Sequence, residues 1–574
     1  MALTLGACGG GGSDPQTRDT SYGEVEGVND SAGSGTYFWK GIPYAKAPVG
    51  ALRWKAPVEP AKWGSKLNAK QFGASCIQNP RLYSPGNTNT FDASVGENLV
   101  TGNTPGSEDC LSLNIWRPAN DDKGLPVIVF IHGGSNITGY SADPMYDGAA
   151  LAKKANAVVV SANYRLGQLG FFRHPALRDK AVDPTLTADD QSGNYAVLDI
   201  IQALKFVQGN IASFGGDKNN VTLSGQSAGA INILAVLTAP GQRATGLFHK
   251  LVPLSGGISV ATSPGFPQPA NNLAGNNGYI AALTPAPTYE LLSGMLLLKL
   301  LVDDGTAADA ATATAWVGAH SNADIAAYLR GKSASTILKV GLKTVGGMPN
   351  TTGSGPIPEG TVVATDPIAA ILAGNYTKVP VLAGLAHSES KLLSSFLPLV
   401  GHPPGIKLPD AQLFPILFDA AKAKAATFGD IIHPAYADGA VYDPAIADLD
   451  TKFFVALRDN LLNSLVTQTP NQVWSYRFDW KQEPAPWNDV YGAAHAFDLP
   501  FLFGNFGPSL YSNVIVSDAN KAGRLALSDA MVGTLAAFAR TGNPNHAALG
   551  VSWPNWPGKL IFDASASAKQ ISVQ

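Results

Sequence analysis

The middle of the chain alternates short, continuous apolar runs with stretches of helical periodicity, and that alternation restricts the fold more than any other feature. LPVIVFIH (Leu125–His132), NAVVVSANYR (Asn156–Arg165), NVTLSG (Asn220–Gly225), KLVPLSG (Lys250–Gly256) and KVPVLAGL (Lys378–Leu385) have the unbroken apolar texture of strands buried on both faces. Asn194–Ile211 places Val197, Ile200, Ile201, Leu204, Val207 and Ile211 at helical spacing. Strand, helix, strand in this rhythm predicts an α/β chain with a mostly parallel sheet covered by helices. Residues 258–377 and 395–470 are more helical and irregular, and are expected above the sheet as lid or pocket walls.

Composition narrows the function classes. Hydrophobic residues make up 45% of the 574, enough for a large core, while charged residues make up only 14% and net charge is −3. That balance, with no basic run, excludes nucleic acid as a partner. No apolar run reaches the length of a membrane-spanning helix. The 61 glycines and 40 prolines imply many turns and long loops.

The three cysteines, Cys8, Cys76 and Cys110, invite a split into one pair and one loner. Leu5-Gly6-Ala7-Cys8 resembles a bacterial lipobox, in which the cysteine is acylated, and Gly9–Gly12 with Ser13 and Asp14 reads as a flexible tether. Residues 1–7 lack a basic n-region and a full apolar one, so the start reads as a truncated signal. The bland alternative is a disordered terminus with an incidental cysteine. Cys76 and Cys110, if bonded, close a loop worth roughly 3–4 kcal/mol of unfolded-state restriction; the alternative is two buried free thiols. Export favours the bond, because disulfides persist outside the cytosol.

One stretch carries chemistry. In VTLSGQSAGAINIL (Val221–Leu234) an apolar strand passes into a helix through Gly225-Gln226-Ser227-Ala228-Gly229. A turn this sharp strains its central residue and leaves no room for side chains two positions away, so both flanks must be glycine. It presents the Ser227 hydroxyl above the strand end, at a helix N-terminus that favours developing negative charge. The pentapeptide pattern alone arises by accident in glycine-rich chains; here it is the one match, and it has the required strand before and helix after.

GNYAVLDIIQALKFVQGNIASFGGDKNNVTLSGQSAGA (Gly193–Ala230) resembles the type-B carboxylesterase and cholinesterase family of α/β-hydrolases. KGIPYAKAPVGALRWKAP (Lys40–Pro57), SEDCLSLNIWRP (Ser107–Pro118), FARTGNPN (Phe538–Asn545) and WPNWPG (Trp553–Gly558) resemble further family segments in the same order. The resemblance implies an α/β-hydrolase fold and one catalytic domain over residues 20–574, after a signal and tether at 1–19. The Ser107–Pro118 segment is where the family carries the second cysteine of its first disulfide, which puts Cys76 and Cys110 in that bond. It also implies that Arg53 and Glu108 form an ion pair bracing the disulfide loop. Asp217 is read as capping or bracing the turn before Val221.

A serine hydroxyl needs a base, and the base an orienting carboxylate. In this fold the order is serine, acid, histidine. YGAAHAFDLPFLFGN (Tyr491–Asn505) resembles the family's histidine loop and nominates His495 among nine histidines. KVPVLAGLAHSESKLL (Lys378–Leu393) puts Glu389 where the family has its glutamate, with Ser388 and Ser390 replacing the usual neighbours. His387, on the acid's own loop, is a decoy. The oxyanion hole is expected from the backbone N–H groups of Ala228, Gly134 and Ser135, by resemblance of His132–Asn136 to the family's glycine-rich segment. Ser135 replaces a glycine there, and Asn136 replaces an aromatic or apolar residue, hinting at a more polar pocket. Gln226 stands where the family has glutamate. Gln226→Glu is expected to shift the pH–rate profile, because a nearby anion favours imidazolium.

The expected reaction is hydrolysis of a small-molecule carboxylic ester through an acyl-enzyme, with no cofactor and no metal. Choline esters are disfavoured, since residues 77–109 contain no tryptophan for cation–π binding. Aryl or short-to-medium acyl esters are the main expectation. The alternatives are a hydrolase specialised for one complex ester, carbamate or amide, and a non-catalytic binding module of the same family. A monomer is the default. Lipid attachment at Cys8 would make this an exported bacterial protein, periplasmic or at the outer membrane.

Overall fold

The computed structural model describes residues 15–260, 282–283, 286–351 and 354–574. Cys8 and most of the tether lie outside the described residues. An eleven-stranded sheet forms the frame. Its strands in chain order are β1 (Val28–Asp30), β2 (Thr36–Pro43), β3 (Ser112–Pro118), β4 (Leu125–Ile131), β5 (Val158–Ala162) and β6 (Gly216–Gln226). They continue as β7 (Lys250–Leu254), β8 (Val381–Ala386), β9 (Val473–Phe478), β10 (Lys559–Ala564) and β11 (Lys569–Val573). Across the sheet the order is β1-β2-β3-β5-β4-β6-β7-β8-β9-β10-β11. Every pairing from β5 to β10 is parallel, and the pairings at both margins are antiparallel.

The apolar runs are continuous because each strand feeds two cores. Val127, Val129 and Ile131 of β4 face one core, together with Val197, Ile200, Ile201 and Leu204 of the Tyr195–Asn210 helix. Ile128 and Phe130 face the other, against Leu527, Met531, Leu535 and Phe538 of the Lys521–Thr541 helix. A third core lies among the helices of 286–342, where Leu296, Leu300, Ile325, Leu329 and Ile337 pack on Trp54, Leu169 and Phe172. No helix of the described residues is long and apolar enough to cross a membrane.

The strand order positions the site. From β4 the chain steps outward to β5, then returns past β4 to β6. A crevice therefore opens at the carboxyl ends of β4 and β6, the place where ligands bind in open α/β sheets. Register pairs Ile131 with Gly225 there, so the loop after β4 and the turn after β6 leave the sheet side by side.

Candidate active site

The turn after β6 is as tight as its glycines predict. Ser227 has φ 56° and ψ −124°, a conformation L residues avoid, and the Ala228–Leu237 helix starts immediately after it. Its own N–H donates to the Leu254 carbonyl of β7 at 2.8 Å, which holds the strained residue in place. A Cβ on Gly225 would lie 2.6 Å from the Gly229 carbonyl oxygen. A Cβ on Gly229 would strike the Ile131 carbonyl and lie 2.6 Å from that of His132.

Glu389 and His495 come from loops at the ends of β8 and β9 and are brought together. Glu389 is 0% exposed. Its Oε1 accepts the Ala386 N–H at 2.6 Å and its Oε2 meets His495 Nδ1 at 2.5 Å. The two loops are stitched by the Ser388 N–H to Ala493 carbonyl bond, 2.9 Å. On the other side of the ring, Nε2 meets the Gln226 amide nitrogen at 3.0 Å, and Phe454 packs on the imidazole. Among the described residues no hydrogen bond holds the Ser227 hydroxyl. It lines, with Gln226 and His495, a cavity of about 150 Å³. His387 contacts the neighbouring Ser388 hydroxyl and does not line this cavity.

The loop after β4 supplies the opposite wall. Gly134, Ser135 and Asn136 all have positive φ, 104°, 57° and 59°. Ser135 thus adopts the left-handed conformation that a glycine would take and keeps its N–H. The N–H groups of Gly134, Ser135 and Ala228 donate to no other described residue, and Gly134 and Ser135 line the cavity beside Ser227, the residue before Ala228.

Asn136 does not polarise the pocket. It is buried, accepts a 2.7 Å hydrogen bond from Asn232 of the elbow helix, and so ties the loop to that helix. Sequence reading also missed Gln78. Its Oε1 accepts the Gly139 N–H and the Thr138 hydroxyl, both at 2.8 Å, and its amide donates to the Cys76 and Gly139 carbonyls. A glutamine two residues after a cysteine carries no signal by itself. Only the fold shows that it couples the disulfide to the loop.

Cys76 and Cys110 are bonded, with Cα atoms 4.8 Å apart. Arg53 grips Glu108 through two bonds, 2.6 and 2.5 Å, and also donates to the Lys332 carbonyl. Asp217 accepts the Asn219 N–H at 2.8 Å, bracing the turn as expected.

Residues 395–470 contribute Phe396, Ile406, Leu408 and Leu413, but no described residue of 286–377 lines this cavity. That segment instead buries its leucines in the third core. Among the described residues no cluster of His, Cys, Asp or Glu could hold a metal ion.

Burial shifts several acids and bases of the fold. It pushes Asp450 and Glu483 up to about 8, Asp498 up to about 6, and His132 and His174 down to about 4. Asp450 accepts the Ser390 N–H at 2.7 Å, directly behind Glu389.

These shifts set a sign for stability. A carboxyl raised on folding stabilises fully below its unfolded pKa and loses that contribution as pH rises through its folded pKa. A histidine lowered on folding stabilises above about 6.5 and loses that as pH falls toward 4. Between pH 4 and 6.5 the two sets oppose each other. From pH 6.5 to 8 Asp450 and Glu483 carry the slope, and stability is expected to fall by roughly 1.4 kcal/mol per unit per group at most. Urea midpoints across that window measure it. Asp450→Asn is expected to flatten the slope, and an equal slope in the variant would refute the assignment.

The family model described as the carboxylesterase family matches residues 14–560. The para-nitrobenzyl esterase of Bacillus subtilis (strain 168) is 30% identical over 550 residues, covering 93% of this chain and 91% of its own. The fumonisin B1 esterase of Sphingopyxis macrogoltabida is 32% identical over 506 residues, covering 87% and 77%. A solved PNB esterase superposes with a TM-score of 0.67 at 26% identity, over 98% of this chain and 97% of that one. The carboxylesterase EST55 of Geobacillus stearothermophilus gives 0.66 at 28%, over 97% and 98%. The architecture is the α/β-hydrolase fold of these esterases, and the protein is a carboxylic ester hydrolase that belongs to the carboxylesterase family.

Proposed function

We propose that Ser227 is the nucleophile, His495 its base and Glu389 the orienting acid, with oxyanion donors at Gly134, Ser135 and Ala228. The observation that carries this is the bond between fully buried Glu389 and His495 Nδ1, with the imidazole facing the same cavity as a strained serine. Ser227 Oγ attacks the ester carbonyl while its proton passes to Nε2. The three free N–H groups receive the oxyanion. The imidazolium then protonates the departing alcohol, and water repeats the sequence to release the acid.

The substrates we infer are aryl esters and esters of short-to-medium acyl chains. The cavity is small, and Phe396, Leu408 and Leu413 give it an apolar wall. A relative named for para-nitrobenzyl esters supports the aryl preference. A second reading, a hydrolase specialised for one complex ester, carbamate or amide, is favoured on its ester side by the relative named a fumonisin B1 esterase. A panel of p-nitrophenyl esters from acetyl to dodecanoyl, with bulky alcohols in parallel, separates them. The first reading expects kcat/KM to peak at the short chains and decline steadily. Uniformly poor turnover would overturn it in favour of the second.

The Leu5–Cys8 motif supports export with lipid on Cys8, and the Cys76–Cys110 bond supports an oxidising compartment. A lipid-sized mass increment on the N-terminal peptide tests the anchor, and an unmodified Cys8 in cells would refute it.

A further inference from the structure

We propose that Gln226 is a positioning residue that holds His495 as the neutral imidazole with its proton on Nδ1, the form able to accept the serine proton. The inference rests on the catalytic assignment above and concerns the regulation of that same base. Three observations carry it. Nδ1 lies 2.5 Å from a carboxylate oxygen, so it carries the proton. With Nδ1 protonated, a neutral ring can only accept at Nε2, and the group facing Nε2 at 3.0 Å is the donor end of the Gln226 amide. The other end of that amide packs against the loop after β4: a Cβ on Gly133 would lie 2.6 Å from Gln226 Oε1. Gly133 thus leaves room for the amide oxygen, and the amide spans the gap between that loop and the imidazole. The reversed amide would put a carbonyl oxygen on Nε2 and require the imidazolium, which cannot act as base.

The arrangement has a consequence for the reaction. One lone pair at Nε2 cannot serve both the amide and the serine. The amide must release Nε2 when Ser227 Oγ donates to it, so Gln226 stabilises the resting base and yields it on substrate binding. The other charged or titratable groups around the ring are Glu389 on the loop after β8 and Asp498 on its own segment, bonded to Tyr476. Asp450 stands behind Glu389, and Asp143 and the Arg81–Asp410 pair lie across the cavity.

The test is kcat/KM against pH for p-nitrophenyl acetate with the wild type, Gln226→Glu and Gln226→Met. A carboxylate cannot donate to a neutral Nε2 and favours imidazolium, so Gln226→Glu is expected to move the acidic limb upward by about one unit or more. Methionine removes the donor without adding charge, and is expected to move it upward by less. In both variants the loss relative to wild type should be greatest on the acidic side and smallest on the alkaline plateau. Equal loss at every pH, or limbs that overlay the wild type, would overturn the proposal. Should buried glutamate prevent folding, the methionine variant decides alone. ¹⁵N-histidine labelling provides a second readout, with a downfield Nδ1 proton and an unprotonated Nε2 expected at neutral pH in the wild type. Covalent labelling of Ser227 by a phosphonate reports separately on the catalytic assignment. If Ser227 labels normally and the limbs coincide, only the role of Gln226 fails.

Discussion

Ser227→Ala is expected to lower kcat for p-nitrophenyl esters by about 10⁵- to 10⁶-fold, and His495→Ala by a comparable factor. The two side chains act as a unit: without the hydroxyl there is no proton for the imidazole to take, and without the imidazole the hydroxyl stays protonated. Their losses therefore do not add, and the double variant should be no slower than the worse single one. What survives is the contribution of the free N–H groups of Gly134, Ser135 and Ala228, which do not depend on either side chain. Stability should change little at Ser227, whose hydroxyl holds no hydrogen bond among the described residues. Active-site titration with a phosphonate, alongside burst kinetics, makes the measurement. A Ser227→Ala protein that retains more than a thousandth of wild-type kcat would rule out the nucleophile.

Glu389→Gln is expected to cost about 10⁴-fold in kcat with the fold preserved. The glutamine is the same size, and its carbonyl can still accept the Ala386 N–H that Oε1 accepts now. What it loses is the negative charge that stabilises the imidazolium formed during attack. An amide nitrogen turned toward Nδ1 would also favour the tautomer with its proton on Nε2, which cannot accept from Ser227. The effect should fall on kcat far more than on KM, since Glu389 is fully buried behind the ring and out of reach of substrate. A drop of less than tenfold, with circular dichroism unchanged, would point to another carboxyl as the partner. Asp498, also buried and near His495, is the group to replace next.

Much of the frame was legible because its causes are local. The runs at Leu125–Ile131, Val158–Ala162 and Lys250–Leu254 read as buried strands since both of their faces are covered, and burial on both faces leaves no alternation to disguise. The antiparallel margins were not legible. Val28–Asp30 and Lys569–Val573 are short, half polar, and strands only because a neighbour pairs with them. The helices of 286–342 carry no local sign of the core that their leucines form with Trp54, Leu169 and Phe172.

The sequence by itself determined the elbow: two glycines around Ser227 are a steric requirement of the turn, and steric requirements between neighbours are written in residue order. It also nominated Glu389 and His495 through the segments that carry them. Only the tertiary structure decided that Gln78 links the disulfide to the loop after β4, that Asn136 faces Asn232 instead of the cavity, and that the Gln226 amide meets His495 Nε2. Each of these is a hydrogen bond between residues far apart in the chain. Which partner a buried amide finds depends on what the fold brings within about 3 Å of it, and no local pattern encodes that distance.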